Sequence, residues 1–252
     1  MMNELTRSCA IVVGVGVRAG IGGALCARFA KAGMPVYAVG RDAEKLRTLI
    51  DEIAKDGGNA TAVTLDASRP EEIASLFDRI ASDGCHPELV VFNASERNVP
   101  KAFLDMTPEF VENLWRVCCF GGLLVGQEAV RRMLPRQQGT ILFTGATASI
   151  RGRAEFGGFA SAKAGLRSIA QAMAREFGPK GIHVAHIIVD GMVDGARVGE
   201  FGNGIGKSIL LSKGTDGTLD PDAVAESYWQ LHLQPRSVWT HELDLRPFCE
   251  PF

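Results

Sequence analysis

Short, nearly unbroken apolar runs alternate along the chain with longer segments whose apolar residues recur every three or four positions. The short runs are CAIVVGV (9–15), PVYAVG (35–40), ATAVTL (60–65), ELVVFN (88–93), GTILFTG (139–145) and IHVAHIIV (182–189). They read as strands covered on both faces, because no polar alternation marks a wet side. The segments between them, at about 20–33, 43–56, 70–83, 107–135 and 155–178, read as helices. Pro70 and Pro108 stand near helix starts, Gly33 and Gly178 near helix ends. This alternation predicts an α/β fold: a doubly wound parallel sheet, Rossmann-like, with helices on both faces and ligands at the carboxyl ends of the strands. A last helix (221–234) and a short strand around VWTHELDL would close the sheet's edge.

No internal repeat, linker or low-complexity tract divides the pattern, so residues 1–252 read as a single domain, and 46% hydrophobic residues supply its core. The stretch 190–219 is glycine-rich and lacks clear periodicity, which predicts a flexible lid over a substrate site. The amino end, MMNELTRSCAIVVGVGV, imitates a secretory signal, but its apolar run is short, fills with glycines and meets Arg18. It reads as the first buried strand. No later run approaches the length of a membrane-spanning helix.

Charge and cysteine usage narrow the function classes. A net charge of −2 gives no field for nucleic acid or an anionic membrane, so a small-molecule substrate is expected. The six cysteines form no CxxC pair and the five histidines are dispersed, so no metal site is expected and the chain reads as reduced and cytoplasmic.

The candidate chemistry begins after the first strand, in VGVRAGIGGALCARFAKAG. Gly16, Gly20 and Gly22 stand where the strand turns into a helix, with Gly14 adding a small position upstream. Glycines there permit a tight turn, close approach of a pyrophosphate to the backbone, and tight helix–strand packing, which marks a dinucleotide-binding domain. The spacing is G-x-x-x-G-x-G, and over essentially its whole length the sequence resembles the short-chain dehydrogenase/reductase family. That family's opening motif, T-G-x-x-x-G-x-G, is matched by Val15 through Gly22 with valine for threonine.

The resemblance implies cofactor contacts at Gly16, Arg18, Ala19, Gly20, Ile21 and Gly22. LDAS (65–68) looks like the family's acidic adenine-contacting position, which assigns Asp66 and Ala67. FNAS (92–95) resembles the N-N-A-G segment after the fourth strand, which assigns Asn93, Ala94 and Ser95. Thr144, at the end of the fifth strand, joins them. Lys163 corresponds to the lysine that binds the nicotinamide ribose. DGMV (190–193) resembles the P-G-x-x turn that holds the carboxamide, assigning Asp190, Gly191 and Val193 with aspartate in place of proline. Homodimers or homotetramers are implied too, through helices 107–135 and 155–178.

At the end of the second strand stands Gly40-Arg41, where an acidic residue would bind ribose hydroxyls and repel a 2′-phosphate. Arginine suits phosphate with its fork of donors, and Arg18 would add a second cation, so NADP(H) is preferred and NAD(H) remains possible. Asp42 is an alternative partner for Arg41.

The family's catalytic group is asparagine, serine, tyrosine and lysine, and only the lysine is retained. Phe159 occupies the tyrosine position, four residues before Lys163; Ala146 occupies the serine position and Cys118 the asparagine position. A missing general acid costs about 10²–10⁴-fold and a missing oxyanion donor about 10²–10³-fold. The possible substitutes are Ser149, Thr144, Thr147, Glu155, Asp190, Asp194, the Cys118 thiol and Lys163 itself. Tyr37 and Tyr228 fall in the second strand and the last helix, with Tyr228 able to serve only from a partner subunit. The expectation is an NADP(H)-dependent oxidoreductase with a non-standard active site, acting on a small carbonyl, imine or activated alkene. The alternative is a non-catalytic NADP(H)-binding protein or an inactive subunit of a hetero-oligomer.

Overall fold

Alternate residues of each central strand enter different cores. Ile11 and Val13 pack into one layer while Ala10 and Val12 pack into the other; Val90 and Phe92 divide from Leu89 and Val91 in the same way. Both faces of the sheet therefore need helices, as the unbroken apolar runs predict. The computed structural model describes residues 7–195, 198 and 205–251. Its strands are β1 (Arg7–Val13), β2 (Val36–Gly40), β3 (Ala60–Thr64), β4 (Cys85–Phe92), β5 (Gly139–Thr144), β6 (Ile182–Val189) and β7 (Glu242–Leu245). All pair in parallel, in the order β3-β2-β1-β4-β5-β6-β7. The order reverses direction between β1 and β4, which opens a crevice at their carboxyl ends.

The helices are α1 (Ile21–Lys31), α2 (Ala43–Lys55), α3 (Pro70–Ser82), α4 (Pro108–Trp115), α5 (Gly121–Met133), α6 (Gly157–Phe177), α7 (Ile205–Ser212) and α8 (Pro221–His232). α1, α2 and α8 cover one face, and α3, α5 and α6 the other. Their starts are set locally. Asp42 caps α2 by accepting from the Lys45 N–H at 3.1 Å, and Thr107 caps α4 by accepting from the Phe110 N–H at 3.3 Å. Pro70, Pro108 and Pro221 take the first helical position, where no N–H is needed. α1 ends at the left-handed Gly33, as expected, whereas the left-handed residue after α6 is Gly181 rather than Gly178.

Two expectations are revised. The single helix over 107–135 is two helices joined by one wider π-helical turn, Arg116–Phe120. The predicted lid contains α7, and Val193 bridges Leu219 alongside it. Leu211 of this helix is 83% exposed. Residues 196, 197 and 199–204 of that lid lie outside the described residues. Among the described residues, no helix is long and apolar enough to cross a membrane.

The edge strand β7 is fastened by charge. Glu242 accepts from Arg167 of α6 at 2.6 and 2.7 Å and from Nδ1 of His186 in β6 at 3.2 Å. His186 is wholly buried, and desolvation outweighs its carboxylate partner to bring it down to about 4. In the unfolded chain an ordinary imidazole titrates near ~6.5. Above that value neither state carries the proton; between the two values only the unfolded chain binds it, so stability falls as pH drops and the His186 share is lost by about pH 4. That share is about 3 kcal/mol. Urea unfolding at about pH 7 and about pH 4.5 should show the loss, and His186→Gln should reduce the difference between the two. An unchanged difference would remove His186 from the account.

Candidate active site

The site begins where backbone touches backbone. β1 ends at Val13, and Gly14 turns the chain with φ +97°, a conformation open to glycine. A Cβ at Gly14 would lie 2.3 Å from the amide nitrogen of Ala94, just past β4, and one at Gly22 would lie 2.7 Å from the Gly14 carbonyl oxygen. Asn93 closes this junction: its backbone N–H donates to the Val13 carbonyl at 2.7 Å and its Nδ2 to the Gly14 carbonyl at 2.9 Å. Close packing demands glycine at Gly14 and Gly22, and also at Gly23 and Gly40, where a Cβ would lie 2.3 Å from the Val17 and Val15 carbonyl oxygens. Gly16 has nothing within 4 Å of its missing Cβ, because it faces open space.

That space is a cavity of about 620 Å³ at the carboxyl ends of the strands. Gly16, Gly20, Ile21 and Gly22 line it, and α1 starts there with no side-chain cap and no acidic residue in its first turn. The uncapped N–H groups and the positive helix end make a seat for a phosphate. Ala94, Ser95, Asn93 and Thr144 also line the cavity, together with Ala67, Gly191 and Val193.

At one end Arg41 reaches in and pairs with Glu96 at 2.8 Å. Its sequence-expected partner, Asp42, turns instead to Lys45. Arg18 leaves the cavity altogether and pairs with Asp222 of α8 at 2.8 and 3.2 Å, so the anticipated second cation is turned away. Ala19 also lies off the lining. Asp66 lines the cavity; burial pulls its carboxyl up, but the Ser68 N–H and hydroxyl, with Arg41 and Arg69, hold it below the usual carboxylate range.

At the other end stands Lys163, 2% exposed, its Nζ donating to the Thr144 carbonyl at 3.0 Å and lying 5.8 Å from the centre of the Phe159 ring. Phe159, Cys118 and Ala146 gather in one apolar cluster with Leu114, Cys119 and Ala162. Phe159 and Ala146 line the cavity, whereas Cys118 sits behind it, its Sγ accepting from the Glu96 N–H at 3.4 Å.

The substitutes proposed from sequence are mostly engaged elsewhere. Ser149 is buried off the cavity, and its Oγ accepts from the Ala146 N–H at 3.1 Å. Asp190 is buried too, bonded by the Thr147 hydroxyl and paired with Arg246 at 3.1 Å. Glu155 and Asp194 are exposed and do not line the cavity. Tyr37 is buried in β2 with its hydroxyl on Asp83. Tyr228 is no exposed residue for a partner's site: it is wholly buried in its own subunit and donates to Thr144 Oγ1 at 2.9 Å. Burial pushes its phenol up, so it stays a neutral hydroxyl. Its contact with Thr144, and that of Glu96 with Arg41, went unseen in the sequence. The strand order alone carries the signal for the second pair, since residues following β2 and β4 flank the end of β1.

The residues present fit a phosphorylated dinucleotide: an open glycine cradle, an uncapped helix start, a cation at the far end and a buried ammonium at the near end. The family model described as short chain dehydrogenase matches residues 9–203. An uncharacterized oxidoreductase of Staphylococcus aureus (strain N315) is 25% identical over 98% of this chain and 100% of its own. The crystal structure of a short-chain dehydrogenase from Rhodopseudomonas palustris is 38% identical, with a TM-score of 0.80 over 96% of this chain and 99% of its own. A variant actinorhodin polyketide ketoreductase solved with NADPH is 22% identical and superposes with a TM-score of 0.86 over 100% of both chains.

Thiol accessibility checks the placement of Cys118. Cys9, Cys26, Cys85, Cys118 and Cys119 are buried and Cys249 is exposed. An aromatic disulfide reagent should titrate Cys249 promptly in the native protein and the other five thiols only with unfolding. A second fast thiol that disappears in Cys118→Ala would place Cys118 on the open cavity.

Proposed function

The chain belongs to the short-chain dehydrogenase family, and on that basis we propose that it is an NADP(H)-dependent oxidoreductase with a non-standard active site. The observation that carries this reading is the pair of cations at opposite ends of one glycine-lined cavity, Arg41 exposed at its mouth and Lys163 buried at its base. The ketoreductase of the same fold was solved with NADPH, and an arginine after β2 suits its 2′-phosphate.

The cofactor, when bound, supplies the hydride. Gly16, Gly20 and the first turn of α1 would hold its phosphates, Asp66 and Ala67 would meet its adenine, and Lys163 would hold the nicotinamide ribose. The Phe159 ring and the Ala146 methyl group offer no proton and present an apolar wall. Lys163 is then the ionisable group at this end of the cavity, and it orders water or donates a proton itself.

A wall without hydroxyls suits substrates that make little demand on a general acid. An iminium arrives already protonated, and an alkene conjugated to a carbonyl disperses the charge left by hydride addition. An ordinary ketone would lose the contribution of both missing hydroxyls. We therefore order the candidate substrates with imines and activated alkenes ahead of simple carbonyls.

The apolar cluster around Phe159 also favours a second reading, a non-catalytic NADP(H)-binding protein or an inactive subunit of a hetero-oligomer. Self-association as a homodimer or homotetramer is part of either reading, through α4, α5 and α6. Trp115, 44% exposed and stacked on Phe120 at 5.2 Å, stands on that surface.

Calorimetry with NADPH and NADH tests the cofactor reading. Both should release heat with wild-type protein, and Lys163→Ala should weaken NADPH by about 10–100-fold, the worth of a charge-assisted hydrogen bond. No heat from folded protein with either cofactor would refute it. Turnover is tested by following NADPH loss with imines, enoyl thioesters, quinones and ketones. Activity abolished by Lys163→Ala supports the enzyme; tight binding with no turnover across the panel supports the second reading. The double variant Phe159→Tyr/Ala146→Ser should gain ketone reduction, because the lysine and cofactor bed are in place. A folded double variant without gain would mean these two side chains do not face the reacting carbon.

A further inference from the structure

Arg41 is the group expected to meet the 2′-phosphate, yet it is already occupied. Its Nη1 stands 2.8 Å from Oε1 of Glu96, a residue 55 positions later in the chain. The topology brings the two loops within reach of each other. β2, β1 and β4 lie side by side, and the residues just past β2 and β4 look across the end of β1 at one another. Glu96 is not free to withdraw far. Its backbone N–H donates to Cys118 Sγ at 3.4 Å and its carbonyl accepts from the Ser95 hydroxyl at 3.1 Å, so the residue stays pinned at the cavity wall whatever its side chain does.

The charges around this end of the cavity cancel. Arg41, Lys45 and Arg97 line it, and so do Asp42, Asp66 and Glu96. Asp42 is committed to the start of α2 and to Lys45, and Asp66 to the Ser68 turn. Glu96 is the carboxylate in direct contact with Arg41, with Asp66 a more distant charge that Arg41 also influences. We propose that Glu96 is a specificity-determining residue: paired with Arg41, it competes with the 2′-phosphate and holds down the preference of this chain for NADP(H) over NAD(H).

The inference rests on the cofactor reading of the cavity and concerns one part of it. A 2′-phosphate carries close to two negative charges at neutral pH. Glu96 holds Nη1 of Arg41, so the phosphate must displace the carboxylate or share the guanidinium with it, and either way the carboxylate remains nearby as a like charge. NADH brings no such group and leaves the ion pair intact. Glu96 therefore acts on one cofactor and is nearly silent toward the other. Exposed ion pairs of this kind are weak in themselves, so the exchange proceeds, but it lowers the net gain.

The test measures dissociation constants for NADPH, NADH and the fragment 2′,5′-ADP with wild type, Glu96→Gln, Arg41→Gln and the double variant. Glu96→Gln should tighten NADPH and 2′,5′-ADP about tenfold while changing NADH less than about twofold. The gain should shrink as salt is raised, because the pair is exposed at the cavity mouth. In the Arg41→Gln background the gain should fall below about threefold, since the sequestered cation is gone. An unchanged NADPH-to-NADH ratio in folded Glu96→Gln overturns the role of Glu96 while leaving the cofactor reading standing. A gain undiminished without Arg41 overturns it as well, by showing a general charge effect. If no ligand binds any of the four proteins, the cofactor reading fails and this inference with it.

Discussion

The contact between the first turn of the chain and the end of β4 decides where everything else can be. Gly14 lies so close to Ala94 that no side chain fits between them, and Asn93 ties the two segments by a bond from its backbone and another from its side chain. Because β1 and β4 are held at this distance, α1 must start directly above them, with its uncapped N–H groups facing the crevice. The same junction sets the loops after β2 and β4 opposite each other, which brings Arg41 to Glu96. A looser junction would still allow a sheet. It would not give a cavity whose floor is backbone.

Much of this fold is legible in the sequence, because a strand covered on both faces leaves an unbroken apolar run and few other elements do. The six long strands and the helix starts at Pro70 and Pro108 follow from pattern alone. The interruption at Arg116–Phe120 does not, since a π turn inside a continuous helix carries no proline and no capping side chain to mark it. α7 is hidden for another reason: glycines at positions 202, 204 and 206 crowd its start and break up its short apolar run.

The site was legible in its backbone parts and less so in its charges. Glycines mark places where the chain must turn or come close, so Gly22 is legible from its place between strand and helix, whereas Asn93 is assigned by the family resemblance of FNAS. An ion pair leaves no such mark. Arg18 and Arg41 look alike in the sequence, each beside the nucleotide motif, yet one pairs with a carboxylate on α8 outside the cavity and the other with a carboxylate on its rim. Which carboxylate an arginine meets depends on which strands are neighbours. That information is distributed over the whole chain.

The two ends of the cavity also answer to different supports, and this bears on how chemistry could change without loss of binding. Lys163 is not held by the residue at position 159. It is held by the Thr144 carbonyl, at the end of a fully paired strand, and the Thr144 side chain is itself fixed by the buried Tyr228 hydroxyl. The Phe159 ring on α6 is no part of that anchor, so the ammonium stays where the sheet puts it. The cation–π distance of 5.8 Å adds a weak attraction between the two. The Lys163 anchor belongs to the sheet, whereas Phe159 stands on α6 and Ala146 follows Gly145, whose N–H donates to the Ile187 carbonyl of β6 at 2.6 Å.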